Sequence, residues 1–354
     1  MKRAFINAEL AGGRGGLLIE DEHIVAVGKD VTAANVAGAE VHDCKGKMLL
    51  AGLIDMRVFT GEPGSEYRET LASASEAAAA GGVTTMIVMP NTNPVIDDAA
   101  MVDFIQRRAR DTAKVRVAPM AAITKGCAGD AMAELGLMKD AGAVAATDGI
   151  KSVANAALLR RAMLYARDND ILIVQHVEEP TLSGGMMNAG ERASRLGLSG
   201  SYGLSEVMLL ERDLRLVEMT GCRYHAAQIS CAESVEVMRR AKAKGLAVSC
   251  GVSINHVSLN ESDVGAYRTF FKLSPPLRSE EDRQALVAGV ADGVIDVVHS
   301  GHDPQSDDTK RLPFAEAAFG AVGLDTFLSV ALNLVHNQNI DLARLSQVLS
   351  EMPA

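Results

Sequence analysis

Residues 52–64 read GLIDMRVFTGEPG, and the fold turns on how this stretch is read. A β-rich apolar run from Leu53 to Phe59 ends in a loop punctuated by Gly61, Pro63 and Gly64, the pattern of a buried strand and its exit turn. Side chains two apart on a strand share a face. Arg57 and Phe59 are therefore expected to point together into whatever the end of this strand opens on.

Working outward, the same unit repeats. Apolar β-rich runs recur as VTTMIVMP, VRVAPMAAI, AVAATDG, ILIVQHV, RYHAAQIS, LAVSCGVS and GVIDVVHSG. Amphipathic helical stretches lie between them, among them YRETLASASEAAAAG, DDAAMVDFIQRRARD, NAALLRRAMLYARDN and SVEVMRRAKAKG. Strands alternating with helices imply right-handed crossovers and a parallel sheet. Eight strand candidates predict closure into a (β/α)8 TIM barrel over residues 52–345. An open doubly wound sheet competes with it, but no GxGxxG follows the first strand. Upstream, residues 1–51 carry short apolar stretches divided by turns expected at Gly12-Gly13 and near Asp21-Glu22, a small β domain. The Gly-rich AGGRGG there reads as a turn, because no helix and no Lys-Ser/Thr follows it.

Composition narrows the function. The 354 residues carry a net charge of -10, 4% aromatics and no Trp. No basic run is present, so neither a nucleic-acid partner nor a base-stacking surface is expected. The N-terminus MKRAFINAEL lacks an apolar leader core and no 18-residue apolar run follows, so a cytoplasmic protein off the membrane is expected. The five scattered cysteines contain no CxxC pair and read as reduced thiols.

The run EPG…ET…AAAAGG.TT…MPNT.P, with QHVEEPTL, YHAAQISCAESVEVM, SPPLRSEEDRQALVAGVADGVIDVV and AFGAVGLDTF, resembles the type I dihydroorotases of the amidohydrolase superfamily, in order along essentially the whole chain. The resemblance implies an amidohydrolase-type barrel. It also implies interconversion of carbamoyl aspartate and dihydroorotate by a zinc centre at the C-terminal end of the barrel. In the family an HxH pair ends strand one, a carboxylate lies on strand four, histidines on strands five and six complete the metal set, and an Asp on strand eight moves the proton.

Set against that pattern, the family ligand positions here are Arg57, Phe59, Gly149, His176, Gln228 and Gly301. Asp148 neighbours Gly149, the general acid/base position is Gly301, and the carboxylate-clamping arginine is Gly61. Gln305 and Ser274 replace two further pocket residues, while Asn91, His256 and His302 remain as substrate-pocket remnants beside Arg57. A guanidinium has no lone pair to give a metal and phenylalanine has no polar atom. Arg57 is therefore expected in the space of a lost metal, paired with Asp55, Asp148 or Asp303. No metal and no catalytic residue are expected; a rebuilt centre would have to come from His176, His299 and Asp55. Lys151 reads as a plain surface or ion-paired lysine.

Three functions follow as expectations. The first is a catalytically inactive homologue serving, as the resemblance implies, as a structural or regulatory partner of aspartate transcarbamoylase in a homo- or hetero-oligomer. The alternative is an active dihydroorotase or related cyclic-amide hydrolase with zinc in a rebuilt site. The third is a ligand-binding or regulatory barrel that still recognises carbamoyl aspartate, with Arg57 taking over as carboxylate clamp. In the family the N-terminal strands pair with strands that follow the barrel. The sequence ends at LSEMPA without them, so open strand edges are expected near residues 1–50.

Overall fold

The structure is a computed structural model that describes residues 1–10 and 13–354. The chain divides into two compact units, Met1–Gly52 and Leu53–Ala354.

The first unit is a four-stranded sheet built from Lys2–Leu10, Gly13–Glu20, His23–Gly28 and Glu40–Asp43. Spatially the strands run third, second, first, fourth. Sequential neighbours pair antiparallel, and the fourth strand lies parallel to the first. Its small core gathers Ala4, Ile6, Val31 and Val36. A turn does fall at Asp21-Glu22. The turn expected at Gly12-Gly13 involves Gly12, which lies outside the described residues. The outer strand His23–Gly28 leaves Ile24 and Val27 exposed.

The second unit is the barrel. Its parallel strands are Leu53–Val58, Val83–Val88, Arg116–Pro119, Ile173–Gln175, Tyr224–Ala226, Val248–Ser253 and Val297–His299. The fourth position, expected as a full strand over AVAATDG, is reduced to a bridge. Ala146 joins Ala121 on one side and Ile173 on the other, between Gly142 and Gly149, both at positive φ. Its ladder bonds still form: Ala146 N donates to Leu172 O and Val174 N to Ala146 O, at 2.9 and 2.8 Å. Closure comes from Val58 bridging His302, with Phe59 N donating to His302 O at 2.9 Å.

Helices coat this ring and begin where short polar side chains cap them. Thr70 and Ser73 form a capping box at Leu71–Ala80, so that helix starts later than the pattern from Tyr67 implied. Asp98 and Asn155 cap Ala99–Thr112 and Ala156–Asp168. In the first of these helices Ala74 and Ala78 are fully buried, because alanines let it approach the strands closely. Inside the ring, Met56, Phe59, Met89, Met120, Val174 and Val297 form one apolar cluster. A larger cluster fills the layer between strands and helices. The unit runs on past residue 345, since Leu345, Val348 and Leu349 are all buried in it.

Candidate functional site

A cavity of about 360 Å3 opens at the C-terminal ends of the strands, where barrel folds place their chemistry. Arg57 and Phe59 both line it. The register of the first strand shifts between Asp55 and Val58, yet both side chains still face the same space. The Arg57 guanidinium lies 5.2 Å from the Phe59 ring centroid, a cation–π contact.

The expected partners of Arg57 do not pair with it. Among the described residues no ion pair within 4.0 Å involves Arg57, its Nη1 is buried without a hydrogen-bond partner, and its guanidinium makes no hydrogen bond. Each candidate carboxylate is engaged elsewhere. Asp55 accepts from the backbone amides of Arg57 and Ser300 at 3.1 and 3.2 Å. Asp148 accepts from the amide and hydroxyl of Thr124. Asp303 pairs with Arg68 at 2.6 Å and accepts from Gln305 Nε2 at 3.0 Å. Burial pushes the carboxyls of Asp55, Asp148 and Asp303 up. Burial also brings Arg57 down to about 10, opposed by the fields of Asp303 and Asp55. It stays cationic at neutral pH.

Around the rim, Gln228 and His256 form one unit. His256 Nε2 faces the carbonyls of Pro275 and Pro276 at 3.1 and 3.2 Å, so it carries the proton. Its Nδ1 then accepts from Gln228 Nε2 at 3.2 Å. Burial, with Arg278 nearby, depresses this imidazole to about 4, and it is neutral at pH 7. Asn91 also lines the cavity, and a Cβ at Gly149 would stand 2.7 Å from its Oδ1. Two glycines stand at positions where the resemblance implies an arginine and an aspartate. At Gly61 a Cβ would stand 2.0 Å from Ser65 O, so the loop backbone has closed over the space an arginine would leave by. Gly301 has φ +66° and faces Ser253 Oγ at 2.7 Å from a built Cβ.

Other expected residues lie elsewhere. His302 does not line the cavity: its Nδ1 accepts from the amides of Gly323 and Leu324 at 3.2 and 3.4 Å, and its Nε2 donates to Glu69. His176 lies off the cavity as well, bonded through Nε2 to Glu178 at 3.2 Å with Nδ1 unpartnered. His299 is fully buried with neither ring nitrogen in a hydrogen bond. The conditional set of Asp55, His176 and His299 is not assembled: among the described residues no three His, Cys, Asp or Glu side chains converge closely enough to hold a metal ion. Lys151 is exposed and reaches Cys127 O at 3.3 Å. Sequence reasoning missed Arg68, Asn255 and Phe319, all of which line the cavity. Asn255 adjoins the retained His256 and was the one a local signal marked.

A closed parallel barrel with its cavity at this end, preceded by a small sheet, is the architecture of the amidohydrolases. Superposition bears this out. L-hydantoinase (dihydropyrimidinase) from Arthrobacter aurescens matches with TM-score 0.90 at 25% identity, over 100% of this chain and 82% of that one. Dihydropyrimidinase from Brevibacillus agri has the same fold, with TM-score 0.84 at 20% identity over 100% and 81% of the two chains. The family model for dihydro-orotase-like proteins matches residues 46–234. A dihydroorotase of Desulfotalea psychrophila is 42% identical over 88% of this chain and 74% of its own length. One from Desulforapulum autotrophicum is 40% identical over 96% and 80%. The chain belongs to the dihydroorotase-like family. No helix among the described residues is long and apolar enough to cross a membrane.

Proposed function

We propose that this chain is a dihydroorotase-like protein of pyrimidine biosynthesis that has lost metal-dependent catalysis and acts in the cytoplasm as a structural or regulatory partner of aspartate transcarbamoylase. The observation that carries the reading is the Arg57 guanidinium stacked on Phe59 at the end of the first strand. Catalytic zinc needs three or more N, O or S donors around an open position. The donor set here does not fit it. Arg57 brings a positive charge, Phe59 brings no donor, Gly149 and Gly301 bring no side chain, and Gln228 is tied to His256. The amide-bond chemistry also lacks its proton carrier, since Gly301 stands where the family has a carboxylate. Losing metal-bound hydroxide and general acid/base help together removes orders of magnitude each.

A fold kept after its chemistry has gone implies that a surface is being used. A partner contact of the order of 1,000 Å2 or more would stabilise both proteins by mass action. The test is metal analysis of the purified protein and a dihydroorotate hydrolysis assay with zinc added, beside co-purification with aspartate transcarbamoylase. Sub-stoichiometric zinc, no turnover and a stable complex are expected. Stoichiometric zinc with turnover would overturn the reading in favour of an active cyclic-amide hydrolase.

A further inference from the structure

Two buried lysines, Lys272 and Lys310, have no acid to pair with. Among the described residues neither enters an ion pair within 4.0 Å, and both ammoniums bond to backbone carbonyls instead. They do so across one another. Lys272 Nζ donates to Phe314 O and Ala315 O at 2.7 and 3.0 Å. Lys310 Nζ donates to Thr269 O at 3.0 Å and to Ala318 O at 2.9 Å. The segment 265–274 thus lends a lysine to the segment 306–320, and the second segment lends one back. The Phe314 and Phe319 rings lie 5.6 and 4.5 Å from Lys272 Nζ, a cation–π enclosure.

Both segments are walls of the cavity. Leu273 and Ser274 line it from the first, and Ala318, Phe319 and Gly320 from the second. Residues 311–319 form no helix or strand. Their middle is tied across by the ammoniums and by the Phe314 ring, whose centroid is 6.5 Å from that of Tyr267. At the ends Thr269 Oγ1 donates to Lys310 O, and Gly320 N donates to Lys272 O at 3.0 Å. A buried ammonium gives up hydration that carbonyl dipoles return only in part. Burial brings Lys310 down to about 8, opposed by Asp303 and reinforced by Lys272. Parting the two segments would return both charges to water and release the carbonyls to it. The closed form is therefore held by a small difference between large terms.

We propose that residues 265–274 and 306–320 form a two-part cover on the barrel end, latched by Lys272 and Lys310, that opens as one unit and widens the way into the cavity. The cover works in the same manner whether or not the cavity keeps any chemistry, so it stands apart from the loss of catalysis proposed above.

The test is hydrogen exchange of the full-length protein at pH 7, resolved by peptide. The amides of the two segments should share one common protection, at least about tenfold below that of the strands Val248–Ser253 and Val297–His299. Lys310→Met leaves Thr269 O and Ala318 O dry when the cover is closed and hydrated when it is open. It should speed exchange in both segments by about a further tenfold, the scale of one charge-assisted hydrogen bond, with the strands unchanged. Lys272→Met should do the same to both. A second measurement reads access instead of protection. Ser253 is buried and lines the cavity. The thiol of Ser253→Cys should react with 5,5′-dithiobis(2-nitrobenzoate) about tenfold faster when Lys310→Met is added, counted against the parent chain, whose half-buried Cys44 is common to both. Segments that exchange independently, or as slowly as the strands, would overturn the proposal. So would a thiol rate that Lys310→Met leaves unmoved, or faster exchange spread evenly over the barrel, which would make the lysines supports of the whole fold.

Discussion

Arg57 and Arg278 are both 3% exposed and live in opposite surroundings. Arg278 donates from Nε to Ser230 Oγ at 3.0 Å, and from Nη1 to Asn188 Oδ1 and Ser201 O at 3.1 and 2.7 Å. Ser230 in turn donates from its amide and hydroxyl to Glu206, also buried. Only Nη2 is left over. Arg57 has a ring beneath it and no hydrogen bond from its guanidinium. Arg278 is part of the scaffold, tying the segment after strand seven to the segment after strand six and to the insertion after strand five. Arg57 lines a cavity, on backbone that would stand without it.

That difference gives the largest expected effect. Arg278→Met leaves three acceptors in a buried network without their donor, at about 1–3 kcal/mol for each group left unsatisfied. Arg57→Met removes a cation that has no directional partner and should be neutral, or stabilising by about 1–4 kcal/mol. Urea unfolding of both variants, with slopes compared, measures the gap. Equal losses would mean that Arg57 also supports the fold and that the contrast is wrong.

The second effect is acid sensitivity centred on the barrel end. Burial, reinforced by Arg57, holds His225 at about 4 and His299 well below its ordinary range, and His256 lies at about 4 as well. A histidine with its folded pKa depressed takes up a proton in the unfolded chain first. Its contribution is fully present above pH ~6.5 and is lost as the pH falls toward 4. Between pH 7.5 and 5 the loss is about 2 kcal/mol for each of His225 and His256. The raised carboxyls of Asp55 and Asp303 oppose it, since they bind protons in the folded state first. Urea midpoints across this range should fall with pH, and His256→Gln should flatten the fall. A level profile would show that these imidazoles reach solvent.

The strand-and-helix alternation was legible because parallel barrel strands are continuous apolar runs and the helices between them carry one apolar face. The weak fourth strand was not, because AVAATDG has the composition of a strand and only the two glycines bracketing it in space break the ladder. At the site, chemistry carried further than position. That Arg57 and Phe59 cannot serve as metal donors follows from their atoms alone. That Arg57 would be unpaired did not, since nothing in the sequence shows that Asp148, Asp303 and Asp55 are committed to Thr124, Arg68 and two backbone amides. His302, expected in the pocket, does not line the cavity: Glu69, on the loop after strand one, meets its ring. No sequence spacing announces a contact of that kind.

The smallest effect is the sharpest test of whether the mouth of the barrel has closed to its old chemistry. Gly301→Asp would put a carboxylate back at the family's proton-transfer position. The backbone there has φ +66°, a left-handed conformation that costs a non-glycine residue about 1 kcal/mol, aspartate being among the more tolerant. Its Cβ would meet Ser253 Oγ at 2.7 Å. That hydroxyl now caps the short helix Ile254–Ser258 by accepting from Asn255 N, and turning it away gives up about 1 kcal/mol more. The variant should therefore fold with a loss of about 2 kcal/mol and show no zinc-dependent turnover. Turnover in this single variant would mean that one proton carrier was all the barrel lacked, and that Arg57 tolerates the chemistry it was taken to have displaced.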